Sequence, residues 1–381
     1  MQCAQAHEDT LTGLTQLFLI QSMSSEQTAP RDLLSVIIPC RNEARYIARC
    51  LDSVVSSDYP KDRLEIFVID GQSDDGTRKI LEDYRRRYPY ITVLENARRI
   101  TPCALNTGIR AARGTVILRM DAHARITPSY LSHCVNALSE YDADNAGGTM
   151  ETLPATEGII GRGIVRCLSH RFGVGNSAFR TGVKKATFVD TVFGGCYRRQ
   201  VFDKIGLFNE QLVRTQDLEF NLRLKRAGGR TVLVPGIVSQ YYAKSEFGSF
   251  VRHNFRNGAW SVLPFLYSPI VPVSARHLVP LAFVSGLLAA GVLTVIAPGP
   301  GKWILAAAAV PYLLLDLGAS FLTAWRDRKP SLALTLPFLF PALHISYGLG
   351  SLYGLLKTGV ELIKRKLNLS QRPGRSYEKS F

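Results

Sequence analysis

The chain has 381 residues, of which 46% are hydrophobic and 20% are charged. This composition excludes a disordered chain and a small disulfide-stapled domain, and the length allows two or three domains. The 46 Lys and Arg exceed the 31 Asp and Glu, which gives a formal charge of +15 and favours an anionic partner. Because the seven cysteines form no CxxC pair, we predict buried free thiols and no zinc site.

We predict that residues 1–30 are an N-terminal tail and that residues 31–245 form a soluble domain of alternating strands and helices. Short apolar runs predict four strands, at residues 34–38, 64–69, 91–94 and 115–120. Segments with helical spacing follow them. Since parallel strands are joined by crossover helices, the pattern predicts an α/β fold with a mostly parallel sheet and helices on both faces. Ligands of such sheets bind beyond the carboxyl ends of the strands.

Three polar segments, at residues 41–43, 70–76 and 121–123, follow predicted strands directly and are expected to share that cleft. The turn that begins at Asp70 and includes Gln72 suits a nucleotide, or is an Asx-rich turn with a helix N-cap. Asp121 and His123 are two residues apart, so in an extended strand they point the same way and can hold a divalent cation. The imidazole favours Mn²⁺ over Mg²⁺. The alternative for this pair is a strand-end carboxylate with a capping histidine.

A helix predicted in the segment that starts at Arg214 and is closed by residues 227–229 places a further carboxylate, Asp217, in its first turn. Glu219 lies about 200° further round the helix, so only one of the two acids can face a given cleft. We choose Asp217 as the candidate base. An N-cap is the alternative role for this residue.

The composition changes abruptly at residue 278, where a predicted transmembrane region, residues 278–356, begins. Three apolar runs each reach the roughly 20 residues that cross a bilayer, at 278–297, 303–325 and 331–356. Buried helices of a soluble domain are the alternative. Because the third run contains Pro337 and Pro341 besides glycines, we predict a broken or re-entrant segment. This would return a basic tail, residues 357–381, to the side of the soluble domain, as the positive-inside rule asks.

Five segments resemble, in order and spacing, the family 2 glycosyltransferases with a GT-A fold: SVIIPCRNEARYIARCLDSV, FVIDGQSDDGT, ALNTGIRAARGTVILRMDAH, FGGCYRRQVFDKIGLFNE and QDLEFNLRLKRAGG. The resemblance covers about residues 33–235. With its apolar C-terminal region the chain looks most like membrane-associated members that build bacterial exopolysaccharides, including the succinoglycan-type glucosyltransferases.

The resemblance implies roles for individual residues. A nucleotide-sugar site would be formed by Pro39, Arg41, Glu43, Asp70, Gln72 and Asp121. The DxD metal site would correspond to Asp121 and His123, binding Mn²⁺ or Mg²⁺, although His stands here in place of the second Asp. The general base would be Asp217, and the acceptor-side loop would contain Gly194 and Gly195.

Between the two regions, residues 246–277 form a basic and aromatic segment that we predict to lie on the anionic inner leaflet. Arg252, Arg256 and Trp260 loosely resemble the QxxRW element of processive relatives, but the Gln is absent, so we predict no processivity. These residues are candidates for the acceptor side, where they would bind the pyrophosphate of a lipid-linked acceptor. A plain interfacial helix is an equal alternative.

The resemblance implies an inverting transferase that moves a hexose from a UDP-sugar donor to a lipid-linked saccharide. It implies a multi-pass protein of the inner membrane with a cytoplasmic catalytic domain. A transferase acting on polyprenyl phosphate is the enzymatic alternative, and a lipid or saccharide transport component is the non-enzymatic one. Nucleic acid is not expected as a partner, because the basic residues concentrate around the membrane segments.

Overall fold

The computed structural model describes residues 32–270 and 275–367, and in that part of the chain nine strands form one mixed sheet. The strands are β1 (Leu34–Cys40), β2 (Leu64–Asp70), β3 (Ile91–Glu95), β4 (Val116–Arg119), β5 (Ala124–Ile126), β6 (Asn145–Pro154), β7 (Thr187–Phe188), β8 (Cys196–Arg198) and β9 (Thr231–Ala243). Their order is β3-β2-β1-β4-β8-β6-β9-β5, and β7 pairs with β9. The predicted tail at residues 1–30 lies outside the described residues.

The four predicted strands are confirmed and pair in parallel, in the order β3-β2-β1-β4. The other half of the sheet is mixed, because β8 lies between β4 and β6 and runs antiparallel to both. The short strand β5 is antiparallel to β9, whereas β6 is parallel to it. The carboxyl ends of β1, β2 and β4 therefore meet at one edge of the sheet, where ligands of α/β proteins bind.

Helices cover both faces of the sheet. The first ten are α1 (Ile47–Val55), α2 (Thr77–Arg87), α3 (Thr101–Ala111), α4 (Tyr130–Glu140), α5 (Ile159–Leu168), α6 (Arg171–Val174), α7 (Ala178–Thr181), α8 (Arg199–Ile205), α9 (Gln216–Arg226) and α10 (Phe247–Val262). On one face Val36 and Ile38 of β1 pack with α1, α2 and α4. On the other face Ile37 packs with α3, α8 and α9. This alternation explains why β1 is apolar at successive positions.

Cysteines within the described residues are buried free thiols, as predicted: Cys40, Cys50, Cys103, Cys134, Cys167 and Cys196. Burial raises the pKa of the Cys40 thiol, and the nearby carboxylates of Glu43 and Asp70 raise it further. Burial likewise raises the pKa of Cys50. These thiols stay protonated and fill the core as small apolar side chains.

Three C-terminal helices are long and apolar enough to cross a membrane: α11 (Ala275–Ile296), α12 (Pro298–Arg326) and α13 (Ser331–Lys366). Their outer faces carry large apolar side chains exposed to the surroundings, among them Val295 (82% exposed) and Trp325 (81% exposed). A water-soluble protein rarely leaves such a surface uncovered, whereas lipid covers it in a bilayer.

The third apolar run is one continuous helix of 36 residues, so our prediction of a broken segment is wrong. Pro337 and Pro341 lie inside this helix, and neighbouring helices in membrane proteins stabilise helices that contain prolines. The helix also continues to Lys366, so the predicted tail at 357–381 begins too early. Residues 368–381 of that tail lie outside the described residues.

Glycines of α13 allow close helix packing rather than a chain break. A Cβ on Gly350 would stand 2.0 Å from the carbonyl oxygen of Phe255, and one on Gly354 would stand 2.6 Å from that of Ala259. Both carbonyls belong to α10. The predicted interfacial segment 246–277 therefore contains a helix whose small residues are pressed against α13.

Candidate functional site

One cavity of about 1120 Å³ opens at the carboxyl edge of the sheet and extends to the membrane helices. Six of the predicted site residues line it: Pro39, Arg41, Glu43, Asp121, His123 and Asp217. They come from three distant parts of the sequence, the end of β1, the segment after β4 and the first turn of α9. The polar segments at 41–43 and 121–123 thus lie at one cleft, and Pro39 and Asp217 lie there too.

At the centre of this group lies Arg119, a residue that our sequence analysis missed. Its guanidinium donates to Asp121 at 2.8 Å and to Asp217 at 2.5 Å, and its side chain is only 8% exposed. Burial alone would lower the pKa of Arg119, but the charges of Asp121 and Asp217 outweigh burial and raise it. Arg119 therefore fixes two acids from different elements at one place. A single charge within the apolar strand 116–119 was the available signal.

The segment Asp121-Ala122-His123 is a turn and not part of a strand, so the reason we gave for its geometry is wrong. The backbone NH of Ala124 donates to the carbonyl of Asp121, which closes the turn between β4 and β5. His123 Nδ1 lies 3.0 Å from Glu43 Oε1. Burial lowers the pKa of His123, but the Glu43 hydrogen bond and the charge of Asp121 outweigh it and raise the pKa.

Asp217 lies in the first turn of α9, as predicted, and it does not cap the helix through its side chain. The preceding residue, Thr215, has a left-handed φ of 60°, which turns the chain sharply into the helix. Asp217 Oδ1 is buried and accepts no hydrogen bond from the described residues. Glu219 faces away from the cavity, where it pairs with Arg223 at 2.8 Å. Asp217 lines the cavity and Glu219 does not, which is consistent with our choice of Asp217 as the candidate base.

Asp70 and Gln72 lie beside the cavity but do not line it. Asp70 is buried and accepts hydrogen bonds from Ser73 and from Arg78 Nε at 2.8 Å. Gln72 donates to Glu95 and accepts from Arg99. Their neighbour Gly71 does line the cavity. In this structure both side chains shape the loop that follows β2.

The two predicted acceptor-side glycines have left-handed backbone angles, with φ of 75° at Gly194 and 95° at Gly195. A Cβ on Gly194 would stand 2.8 Å from the carbonyl oxygen of Arg119, and one on Gly195 would enter the ring of Tyr197. The absent side chains therefore make room for protein atoms and not for a sugar, contrary to our expectation. The glycines allow the chain to pass close behind Arg119.

The three residues that loosely matched a QxxRW element are spread over different surroundings. Arg252 is exposed and lies outside the cavity, whereas Trp260 is 6% exposed and packs with Leu212 and Leu263. Arg256 is half-buried, and its charge lowers the pKa of Arg214, although burial of Arg214 is the larger cause. Trp260 is thus a core residue, and the structure does not place the three side chains on one surface.

The donor atoms near Asp121 fit a divalent cation that takes only one or two ligands from the protein. Among the described residues no three His, Cys, Asp or Glu side chains converge as a metal cluster. Mg²⁺ and similar ions are often held by one or two carboxylates together with substrate phosphates and waters. The contact between His123 Nδ1 and Glu43 resembles the carboxylate partner that orients metal-binding histidines and leaves Nε2 for the ion.

Comparison with known proteins identifies the family of the N-terminal domain. Residues 35–206 match the sequence profile described as glycosyl transferase family 2. The chain is a glycosyltransferase with a family 2 domain. A Methanococcus voltae enzyme, dolichyl N-acetyl-alpha-D-glucosaminyl phosphate 3-beta-D-2,3-diacetamido-2,3-dideoxy-beta-D-glucuronosyltransferase, is 28% identical over 60% of this chain and 72% of its own length.

This glycosyltransferase is also similar to the succinoglycan biosynthesis protein ExoA of Rhizobium meliloti, with 25% identity over 65% of this chain and 79% of ExoA. Among solved structures, the mannosyltransferase PcManGT of Pyrobaculum calidifontis, in complex with GDP-Man and Mn²⁺, superimposes with a TM-score of 0.53. That match covers 90% of this chain and 94% of PcManGT at 18% identity. The predicted family and the GT-A fold are confirmed.

Proposed function

We propose that this glycosyltransferase transfers a hexose from a UDP-sugar to a lipid-linked saccharide during synthesis of an exopolysaccharide or another cell-surface glycan. The observation that carries the proposal is a single cavity that has Asp121, His123 and Asp217 on one wall and membrane helices on the other. An enzyme with such a cavity can hold a water-soluble donor and a membrane-anchored acceptor at the same time. The M. voltae relative, named for a dolichyl phosphate-linked acceptor, and the R. meliloti relative, named for succinoglycan biosynthesis, support a lipid-linked acceptor and a role in polysaccharide synthesis.

Asp217 is the proposed general base. The carboxylate of Asp217, which lines the cavity, accepts the proton of an acceptor hydroxyl, whose oxygen attacks the anomeric carbon of the donor. The bond between that carbon and the phosphate oxygen breaks, and the nucleoside diphosphate leaves with the electron pair. Attack from the side opposite to the leaving group inverts the anomeric configuration. Arg119 holds Asp217 Oδ2 at 2.5 Å and so orients the base.

Asp121 and His123 Nε2 are the proposed ligands of a divalent cation, Mn²⁺ or Mg²⁺. When bound, the ion supplies positive charge that stabilises the departing diphosphate. Pro39, Arg41 and Gly71 line the same part of the cavity and are proposed to hold the nucleoside, with Asp70 and Gln72 supporting their loop. Inner-leaflet lipids, a cytoplasmic catalytic domain and a multi-pass location in the inner membrane complete the proposal.

The test is a transfer assay in membranes, with radiolabelled UDP-hexoses as donors and either a lipid-linked saccharide or polyprenyl phosphate as acceptor. We expect labelled product with the lipid-linked saccharide only, and loss of transfer on chelation of divalent cations. Asp217→Asn should lower kcat by about 10²–10⁴-fold, the usual contribution of a general base, and leave UDP affinity nearly unchanged. Asp203→Asn, at an exposed acid on α8, is the matched control.

If product formed only with polyprenyl phosphate, the acceptor would be that lipid and not a lipid-linked saccharide. If the Asp217→Asn variant kept full activity, Asp217 would not be the general base. Turnover that is indifferent to chelation would remove the metal role of Asp121 and His123.

A further inference from the structure

The cavity also contains several cations that the proposed donor site does not use. Arg180 of α7, Arg214 before α9 and Lys244 after β9 all line it. Among the described residues neither Arg214 nor Lys244 forms an ion pair, and Arg214 Nη1 donates to the neutral Asn257 at 2.8 Å. We name Arg180, Arg214 and Lys244 the cation cluster.

His253 of α10 lies near these cations, and its pKa reflects their charges. Burial lowers its pKa, and the charges of Arg214, Arg180 and Lys244 add to that effect, so that the pKa falls to about 3. Three cations thus act on one buried imidazole, which shows that they lie close to one another. Like charges held together in a half-buried cavity repel one another, and an anion bound between them would relieve that repulsion.

Tyr241 joins the cation cluster to the catalytic group. Its ring lies 5.1 Å from that of His123, and its pKa is raised by burial first. The charges of Arg180 and Arg214 on one side and of Asp121 on the other also act on its hydroxyl. The cluster is therefore adjacent to the reacting centre, and Arg214 precedes the base Asp217 by only three residues.

Beyond the cluster the cavity becomes apolar and aromatic. Phe283 of α11 stacks on Tyr312 of α12 with ring centroids 4.4 Å apart. The Tyr312 hydroxyl lies 2.9 Å from His344 Nδ1 of α13, and His344 Nε2 lies 3.0 Å from the carbonyl oxygen of Phe172. Each of the three C-terminal helices thus contributes one ring to a connected wall of the same cavity.

We propose that the cation cluster binds the phosphate groups of a polyisoprenoid phosphate or diphosphate carrier, whose hydrocarbon chain lies along Phe283, Tyr312 and His344. This inference rests on the proposed function and assigns the acceptor's anchor to particular residues. Anionic phosphates complement the cluster, and the chain complements the aromatic wall. The order along the cavity then matches a lipid-linked saccharide: chain at the membrane helices, phosphate at the cluster, sugar hydroxyl at Asp217.

The test measures binding of geranylgeranyl diphosphate to the full-length protein in phosphatidylcholine nanodiscs that contain saturating UDP and Mn²⁺. We expect geranylgeranyl diphosphate to bind. Inorganic diphosphate and geranylgeraniol should each bind at least tenfold more weakly, because each lacks one half of the ligand. Arg214→Gln and Lys244→Gln should each weaken the Kd for geranylgeranyl diphosphate at least tenfold, while the Kd for UDP changes less than twofold. Arg226→Gln, at an exposed arginine on α9, should change neither. The melting temperature of each variant checks that it folds.

Three results would overturn the inference. If folded Arg214→Gln and Lys244→Gln bound geranylgeranyl diphosphate as tightly as the unaltered protein, the cation cluster would not be its binding site. Equal weakening of UDP binding would assign the cluster to the donor. Equal competition by phosphatidylglycerol in the nanodiscs would assign it to ordinary anionic lipid. Absence of UDP binding and of sugar transfer in the unaltered protein would instead refute the proposed function, so the two failures are distinguishable.

Discussion

At the scale of single residues, Arg119 connects the two acids on which the proposed chemistry depends. One buried guanidinium donates to Asp121 after β4 and to Asp217 on α9. Removal of one partner from a buried ionic group leaves uncompensated charge, which usually costs about 3–5 kcal/mol. Arg119 is therefore a positioning residue whose loss affects both folding and catalysis.

We predict that Arg119→Met lowers the free energy of unfolding by about 3–5 kcal/mol, because two carboxylates then face each other without a cation. Arg119→Lys should recover part of that loss, since Lys keeps the charge without the forked donors. Denaturant unfolding of detergent-solubilised protein provides the measurement. In the double variant Arg119→Met/Asp217→Asn the loss should be smaller than the sum of the single losses, because the removed groups interact. Strict additivity would contradict the proposed role.

The sequence predicted Asp217 but not Arg119, and the reason is physical. Helical periodicity shows that Asp217 and Glu219 point in different directions, and the resemblance to the family then favours Asp217 as the base. Whether an arginine in an apolar strand forms an ion pair depends on acidic residues that are distant in sequence. The role of Arg119 therefore could not be predicted from its own segment. Gly194 and Gly195 illustrate the same limit, because the atoms that require them belong to Arg119 and Tyr197.

At the scale of secondary structure elements, the contact between α10 and α13 joins the soluble domain to the membrane helices. Gly350 and Gly354 of α13 meet backbone carbonyls of α10, so the two helices approach as closely as small residues permit. The strands of the sheet could be predicted because short apolar runs identify them locally. The continuity of α13 could not, because the close contacts of its glycines are with α10 and α11, which are distant in sequence.

We predict that Gly350→Ala separates α10 from α13 and lowers the melting temperature, because a Cβ there would lie 2.0 Å from the Phe255 carbonyl oxygen. Gly359→Ala is the matched control in the same helix, since a Cβ at that position meets nothing within 4 Å. Alanine is favoured over glycine inside helices by about 1 kcal/mol, so the control should keep or raise the melting temperature. A Gly350→Ala protein as stable as the control would show that the helices are not in close contact.

At the scale of the whole molecule, both ends of α13 contact chain that precedes the first membrane helix. Asp327, just before α13, pairs with Arg166 of α5 at 2.6 Å, and Arg365 near its end donates to the carbonyl of Leu266 at 3.1 Å. A helix of 36 residues is about 54 Å long, well beyond the roughly 30 Å of hydrocarbon. We infer that α11 and α12 cross the membrane and that α13 runs along the soluble domain.

This arrangement predicts the side of the C-terminus. A reporter fused after residue 381 should lie on the same side of the membrane as the catalytic domain, in agreement with the basic residues near the end of α13. A reporter inserted at Ala297, between α11 and α12, should lie on the opposite side and serves as the control. Protease protection of both fusions in sealed vesicles gives the readout. A C-terminal reporter found on the side of Ala297 would require three full spans.

The burial of the cysteines has a practical consequence. Each thiol in the described part of the chain is shielded by packing, and Cys40 and Cys50 are further held in the unreactive protonated form. Alkylating reagents and mild peroxide should therefore leave the folded enzyme active once Cys3, which lies outside the described residues, is replaced by serine. Such a background would let one engineered surface thiol carry a fluorophore or spin label, so that donor and acceptor entry can be timed separately.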